Sequence, residues 1–204
     1  MTELFDPVSV DISHPSLNHK RFTSDPLSED LEVTGYPTVV LWASTSHPHD
    51  STCDAGDVFA MLQCVESTGE VAYVTEGSLR LKHRHFFHDS QSREFDSCCE
   101  ATDLAMAVTI PNTPKRSFRS EHAKLGPLGS GGHSPELVWL TMQPVSFLFK
   151  RSQRIQLAIY GSDVTHFAPC ADKTYDLKIW LGDQESSSHE LSYGSWLLLP
   201  VVVD

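Results

Sequence analysis

Residues Val58–Glu76 read VFAMLQCVESTGEVAYVTE, and this stretch indicates the class of fold. Val58–Val65 and Glu70–Glu76 are rich in β-branched, aromatic and aliphatic residues, which favour β-strands. The three residues Ser67-Thr68-Gly69 lie between them, and a short loop that contains glycine is typical of a β-hairpin. The stretch therefore predicts two antiparallel strands joined by a tight turn.

Seven further segments have a similar composition and are bounded by turn-forming residues. They are Thr38–Thr45, Ser78–Phe87, Glu136–Met142, Ser146–Phe149, Arg154–Tyr160, Tyr175–Leu181 and Trp196–Val203. A second turn, at Gly77, is predicted to separate the hairpin from Ser78–Phe87. No segment shows a long amphipathic helix, so the 204 residues are predicted to form a single all-β domain of sandwich type.

Two parts of the chain lack a regular pattern. Residues Met1–Glu32 are rich in Pro, Ser, Asp and His, and they are predicted to form an extended leader that wraps the core. Residues 88–135 form an irregular insertion, in which Leu104–Ile110 is compatible with a strand or a short helix. Such an insertion could form the lid or mouth of a binding site.

The composition argues against several classes of function. A net charge of −12 disfavours a nucleic-acid partner and docking on anionic membranes, because both depend on clustered Lys and Arg. No stretch approaches the ~20 apolar residues of a membrane-spanning helix, and the first residues do not have the pattern of a secretory signal. The five cysteines form no CxxC pair, which favours a reducing compartment, and we expect a cytoplasmic protein.

Four blocks of sequence, taken in order, resemble one known protein family. The blocks are FTSDPLSEDLEVTGYPTVVLWAST (Phe22–Thr45), GDVFAMLQCVESTGEVAYVTEGSLRLKHR (Gly56–Arg84), FKRSQRIQLAIYGSDVTHF (Phe149–Phe167) and SYGSWLLLPVVV (Ser192–Val203). As a set they resemble the C-terminal jelly-roll domain of the X-prolyl dipeptidyl peptidase and cocaine-esterase (CocE/NonD) hydrolases. The resemblance implies an all-β jelly-roll β-sandwich of the galactose-binding-like kind. It also implies a structural pair between Arg154 and Asp163.

In the family that the chain resembles, the catalytic residues lie in an α/β-hydrolase domain that precedes the jelly roll. A serine hydrolase of that kind needs a strained Gly-x-Ser-x-Gly turn, and neither YGSDV nor GSGGHS fits this motif. Ser152 and Gln153 also stand where the family has Gly-His. We therefore expect a stand-alone homologue of the accessory domain, which lacks the catalytic domain and is not a serine hydrolase.

The segment Arg80–His88 is rich in histidine. If it is a strand, alternation places His83 and His85 on one face and the basic residues on the other. Together with His88, these histidines have a spacing that could bind Zn²⁺ or Cu²⁺. An exposed, histidine-rich strand end explains the pattern more simply, so we predict no metal site.

Two other polar groupings have acid–base potential. Asp50 lies in a loop that also contains histidines, and histidine titrates near neutral pH. A relay of Ser78, His83 and Asp163 contains the residue types of a catalytic triad, but no rule of sequence spacing supports it.

Three hypotheses of function are open. In the first, the jelly roll binds a hydrophobic small molecule and acts as a cofactor-free cyclase or isomerase that holds one reactive conformer. The residues assigned to it are His83, His85, Asp163 and Asp50 as acid–base groups, and Trp42, Trp139, Tyr160 and Arg154 as ligand-binding groups. In the second, the chain is a non-catalytic module that binds protein or carbohydrate. In the third, it is the detached half of a split hydrolase and works beside an α/β-hydrolase partner chain.

We favour the first hypothesis, because a domain that keeps a full core without its enzyme needs a role of its own. None of the three hypotheses requires a cofactor. The sequence leaves open whether the chain catalyses a reaction and whether it forms a homodimer.

Overall fold

A computed structural model describes residues 8–11, 19–46, 56–87, 115–116, 123–124, 126, 128–129, 135–161, 176–181 and 194–202. These residues form β-strands and one short 3₁₀ helix, Leu81–His83. The strands are β1 (Val8–Asp11), β2 (His19–Thr23), β3 (Leu31–Gly35), β4 (Thr38–Ser46), β5 (Asp57–Val65), β6 (Val71–Arg80), β7 (Phe86–Phe87), β8 (Lys115–Arg116), β9 (Glu136–Thr141), β10 (Val145–Phe149), β11 (Arg154–Tyr160), β12 (Asp176–Trp180) and β13 (Trp196–Leu198). Within this described part, no helix is long and apolar enough to cross a bilayer.

The first large sheet is built around β4, which pairs with three other strands. Strand β9 lies along one edge of β4, with Val40 opposite Trp139. On the other edge, β13 pairs with the first part of β4 and β12 pairs with the last part, and β1 continues the sheet beyond β12. All of these pairings are antiparallel. The result is a five-stranded sheet in which β4 is central.

The second large sheet has the strand order β2-β11-β5-β6 and is antiparallel throughout. The predicted hairpin is confirmed, because β5 and β6 pair and the turn between them is closed by hydrogen bonds from Glu66 N to Glu70 O and from Gly69 N to Glu66 O, both 2.8 Å. Gly69 has a φ of +88°, which glycine adopts without strain. The predicted strand Arg154–Tyr160 is also confirmed and lies between β2 and β5.

An apolar core lies between the two sheets. Alternate residues of β4 (Val39, Leu41 and Ala43) meet alternate residues of β5 (Val58, Ala60, Leu62 and Cys64), and all are buried. Because each strand turns one set of side chains inward, two antiparallel sheets packed face to face make an all-β sandwich. This is the fold class that the sequence predicts.

The sandwich is closed along one side, where the edge strands of the two sheets meet. The chain leaving β9 passes over β6, with a hydrogen bond of 2.8 Å from Gln143 N to Glu76 O and another of 2.9 Å from Thr75 Oγ1 to Gln143 O. A Cβ atom on Gly77 would lie 2.7 Å from Leu140 Cδ2 and 2.8 Å from Thr141 O. Glycine at this position therefore allows the backbones of the two sheets to approach closely.

The predicted turn at Gly77 and the predicted strand Ser78–Phe87 are wrong. Strand β6 runs without interruption through Gly77 to Arg80, and the chain then forms the 3₁₀ helix before the two-residue strand β7. The glycine reflects close packing against β9 rather than a turn. As a consequence, the proposed strand alternation of His83 and His85 does not occur.

The irregular parts of the sequence contribute to the sandwich where the structure describes them. Within the predicted leader, β1 pairs with β12 and β2 pairs with β11. Within the insertion, Leu128 is fully buried in the core, and it exchanges two hydrogen bonds with Thr45 of β4. Leu104–Ile110 lies outside the described residues.

Candidate functional site

A cavity of about 390 Å³ lies between the two sheets, on the side opposite to the contact of β6 with β9. One wall comes from β2 and β11, and the other comes from β4, β12 and β13. The side chains that cover most of these walls are Phe22, Ile155, Leu157, Val39, Leu41 and Ile179. Ile155, Leu157 and Ile159 recur at every second position of β11, so the strand period itself directs them into the cavity.

The described residues of the cavity lining include three with hydroxyl groups, and each hydroxyl already has a hydrogen-bond partner. Ser24 Oγ accepts a bond of 3.0 Å from Ile155 N and donates one of 2.8 Å to Asp25 O. Ser195 Oγ accepts from Trp42 N at 3.0 Å and donates to Trp180 O at 2.7 Å. Thr23 Oγ1 accepts from Gln156 Nε2 at 2.7 Å. The described lining of the cavity is therefore mainly apolar, and none of its residues has a titratable side chain.

Trp196, Thr23 and Ser24 are the exposed members of the lining, so they mark the open end of the cavity. The Trp196 side chain is 40% exposed. Gly194 lies against its ring, since a Cβ atom there would come within 3.1 Å of Trp196 Cζ2. The absence of a side chain at residue 194 thus gives the indole room beside the backbone.

The residues assigned to acid–base chemistry are not brought together at this cavity. His83 ends the 3₁₀ helix and His85 follows Arg84, and neither residue lines the cavity. Asp50 and Asp163 lie outside the described residues. The assignment of these four residues to a reaction stays a prediction.

None of the four residues assigned to ligand binding is among the described residues of the cavity lining. Trp42 and Trp139 belong to a second apolar cluster, because they occupy the face of the five-stranded sheet that points away from the main core. Tyr160 stacks on Phe59 with ring centroids 5.3 Å apart. Arg154 Nη1 donates a hydrogen bond of 2.9 Å to Ser24 O, which places it next to the cavity mouth. Its proposed partner Asp163 lies outside the described residues.

The histidine-rich segment instead contributes Arg84 to a charge cluster that was not apparent from the sequence. Arg84 is 2% exposed, and its Nε lies 3.1 Å from Glu136 Oε1. Its Nη1 donates to the carbonyl oxygens of Leu81 and Lys124, each at 3.0 Å. Lys124 Nζ also contacts Glu136 Oε1, at 2.8 Å, and Gly129 N donates to Glu136 Oε2. The cluster ties the insertion to β9 and to the 3₁₀ helix.

The electrostatics of this cluster favour an ionised carboxylate. Burial of Glu136 acts to raise its pKa, but the charge of Arg84 and the hydrogen bonds from Lys124 and Arg84 outweigh burial, and the net pKa is lowered. A carboxylate held in its charged form by two cations is typical of a structural ion pair rather than of a general acid.

Metal and thiol chemistry find little support in the described part of the chain. No group of three or more His, Cys, Asp and Glu residues in that part is placed to hold a metal ion. His88 lies outside the described residues, so only His83 and His85 of the three histidines considered for metal binding can be placed.

Cys64 is a buried thiol. Burial, and to a smaller extent the negative charge of Glu66, raise the pKa of this thiol, which disfavours the nucleophilic thiolate.

Residues 13–178 match the sequence family described as the X-Pro dipeptidyl-peptidase C-terminal non-catalytic domain. The chain belongs to this family. The matched region extends from before β2 to the middle of β12, and it therefore includes strands of both large sheets. The resemblance noted in the sequence is confirmed, and the chain is a member of a family of non-catalytic C-terminal domains of hydrolases.

The chain is similar to parts of two longer proteins. These are proteins of Mycobacterium bovis and Mycobacterium tuberculosis, both named provisionally as serine esterases. Each is 36% identical to the chain over 149 residues, which is 72% of the chain. The chain covers only 19% of the length of either relative.

Solved structures of larger hydrolases contain the same fold. A CocE/NonD family hydrolase of Staphylococcus aureus matches 97% of the chain with a TM-score of 0.64 and 16% identity, and the match covers 33% of that protein. An aminopeptidase of a marine sediment Thaumarchaeota archaeon matches 95% of the chain with a TM-score of 0.54 and 17% identity, over 28% of its own length. At this level of identity, the likeness concerns the fold alone.

Proposed function

We propose that this domain is a non-catalytic accessory module that works in contact with an α/β-hydrolase catalytic domain. The observation that carries the proposal is the extent of the match: a family of non-catalytic domains covers residues 13–178, while the chain accounts for 19% of the serine-esterase relatives. The catalytic domain would lie in another part of the same polypeptide or in a separate chain. This proposal corresponds to the second and third hypotheses drawn from the sequence, rather than to the first.

The chemistry of the described residues supports a non-catalytic role. The acid–base steps of a cyclisation or isomerisation need a group that moves a proton, and none of the described residues that line the cavity between the sheets is titratable. The buried thiol of Cys64 and the ionised carboxylate of Glu136 have the pKa shifts of structural groups. We therefore do not extend the proposal to cyclase or isomerase activity.

The test is purification of the tagged chain from its own host, followed by treatment with a fluorophosphonate probe that labels activated serines. We expect the label on a Gly-x-Ser-x-Gly serine outside residues 1–204, either in the same polypeptide or in a protein that co-elutes with it, and no label within these residues. Elution without any such labelled serine, or label within residues 1–204 together with hydrolysis of p-nitrophenyl esters by these residues alone, would contradict the proposal.

A second proposal rests on the cavity alone, and it is the binding of a hydrophobic small molecule. The volume of about 390 Å³ lies within the range of roughly 300–1,000 Å³ that is usual for small-molecule sites. Native mass spectrometry of the purified chain, followed by solvent extraction, tests it. We expect one lipophilic molecule bound per chain. A chain that carries no bound molecule and also binds no apolar probe would contradict this second proposal.

A further inference from the structure

We propose that the cavity between the sheets takes the hydrocarbon chain of a neutral aliphatic molecule, such as a fatty alcohol or ester, and not a charged or sugar-like ligand. This inference rests on the second proposal, that the cavity binds a small molecule, and it adds the chemical class of that molecule. It is independent of the proposed contact with a hydrolase.

The walls of the cavity favour a hydrocarbon because they are apolar and belong to rigid strands. Ile155, Leu157 and Ile159 of β11 face Val39 and Leu41 of β4 across the gap. The β11 residues lie between paired strands on both sides, so they cannot move far to fill the space. Because the strands hold the two walls apart, the apolar space between them persists. Water gains few hydrogen bonds there, so an apolar ligand can replace it at little cost.

The hydrogen-bonding state of the lining excludes a strongly polar ligand. Both Ser24 and Ser195 already accept one hydrogen bond and donate another within the protein. A sugar or a charged group that entered the cavity would lose its bonds to water and would find few partners in return. Hydrocarbon has no such bonds to lose.

The open end of the cavity determines where a small polar head group would lie. Trp196 is the largest exposed side chain at this end, and its ring can cover the first carbons of a chain while the head group stays in water. Arg154 lies next to the mouth, where its guanidinium donates one hydrogen bond to Ser24 O and has further N–H groups that a carboxylate could use. The net charge of −12 opposes the approach of an anion. A neutral head group is therefore expected to be preferred, and Arg154 is the residue through which a carboxylate would bind.

The experiment uses the full chain and the neutral fluorescent probe N-phenyl-1-naphthylamine, whose emission rises in apolar surroundings. We expect saturable binding of one probe per chain. Val39→Phe fills the cavity from β4 and should weaken probe binding at least tenfold. The matched control is Val71→Phe, which makes the same change at an exposed position of β6 and should leave binding unchanged. Should Val39→Phe fail to fold, Leu199→Trp fills the cavity from a half-buried position.

Competition then separates the class of ligand from binding itself. We expect 1-decanol to displace the probe at a concentration at least tenfold lower than decanoate, and glucose not to displace it. No probe binding at all would overturn both the second proposal and this inference. Probe binding with stronger displacement by decanoate, lost in Arg154→Gln, would overturn the inference alone. Binding that neither filling variant affects would place the probe outside the cavity and would also overturn the inference.

Discussion

Arg84 is among the fully buried side chains of the domain although it carries a charge, and Glu136 contributes a carboxylate that balances this charge. Glu136→Ala leaves the guanidinium buried without this partner, so we expect the free energy of unfolding to fall by about 2 kcal/mol. The value is on the low side for a buried pair because a quarter of the Glu136 side chain is exposed. Urea unfolding measures it. As a control, Asp30→Ala removes an exposed pair with Lys150 and should cost much less. Equal losses in the two variants would contradict the buried cluster.

The lowered pKa of Glu136 also predicts a pH dependence of stability. Its folded-state pKa lies below the usual value of 4.5, so its contribution is fully present above about pH 4.5 and is lost as the pH falls through the folded-state pKa. The stability difference between wild type and Glu136→Gln should stay constant from about pH 7 to 5.5 and shrink below pH 4.5. Urea unfolding across this pH range is the measurement. Curves that remain parallel at acid pH would show that Glu136 does not titrate with folding.

At the scale of elements, Gly77 joins the edges of the two sheets. In Gly77→Ala, the new Cβ atom would meet Leu140 Cδ2 at 2.7 Å, Thr141 O at 2.8 Å and Met142 Cα at 2.9 Å. Two of these three contacts involve backbone atoms, which cannot move aside as a side chain does. We expect a loss of about 3 kcal/mol in the free energy of unfolding.

The neighbouring exposed residue supplies the control for this prediction. Ser78→Ala on the same strand should change the stability by less than about 0.5 kcal/mol. Because the backbone contacts of Thr141 and Met142 persist, Gly77→Ala should remain destabilising when it is introduced into a Leu140→Ala background. A cost of Gly77→Ala that disappears in that background would show that the clash involves only the Leu140 side chain.

The difference between the predicted and the observed elements has a physical cause. Segments such as Arg154–Tyr160 were predictable, because strand composition and alternation are local properties of the sequence. Gly77 was misread, because a glycine that permits close approach of another strand looks the same in sequence as a glycine in a turn. The buried pair of Arg84 with Glu136 joins residues that are 52 positions apart, and charge alone does not reveal such a contact.

The cavity could be predicted only in part. The alternation of Ile155, Leu157 and Ile159 indicates which side of β11 faces inward. It does not indicate how far the opposite sheet lies from that face. That distance depends on the closed edge at Gly77 and on the paths of β12 and β13, which are contacts between residues far apart in the chain. The aromatic residues chosen from the sequence, Trp42 of β4 and Trp139 of β9, lie on the face of the five-stranded sheet that points away from the cavity.

At the scale of the whole molecule, the four tryptophans provide a probe of cooperativity. All of them lie in the five-stranded sheet, at Trp42 in β4, Trp139 in β9, Trp180 in β12 and Trp196 in β13. Tryptophan fluorescence therefore reports on that sheet, whereas far-UV circular dichroism reports on both sheets. Because one apolar core joins the sheets, we propose that the chain unfolds as a single domain.

This proposal makes the last prediction, which uses a substitution in the sheet that contains no tryptophan. Leu62 of β5 is fully buried, and Leu62→Ala should lower the free energy of unfolding by about 3 kcal/mol through the cavity that it leaves. If the sheets unfold together, urea curves followed by fluorescence and by circular dichroism shift by the same amount. Val138→Ala, in β9 of the other sheet, is the control that should shift both signals whether or not the sheets are coupled through the core. A fluorescence transition that stays at its wild-type midpoint in Leu62→Ala would mean that each sheet unfolds separately, and the single core would then not act as one cooperative unit.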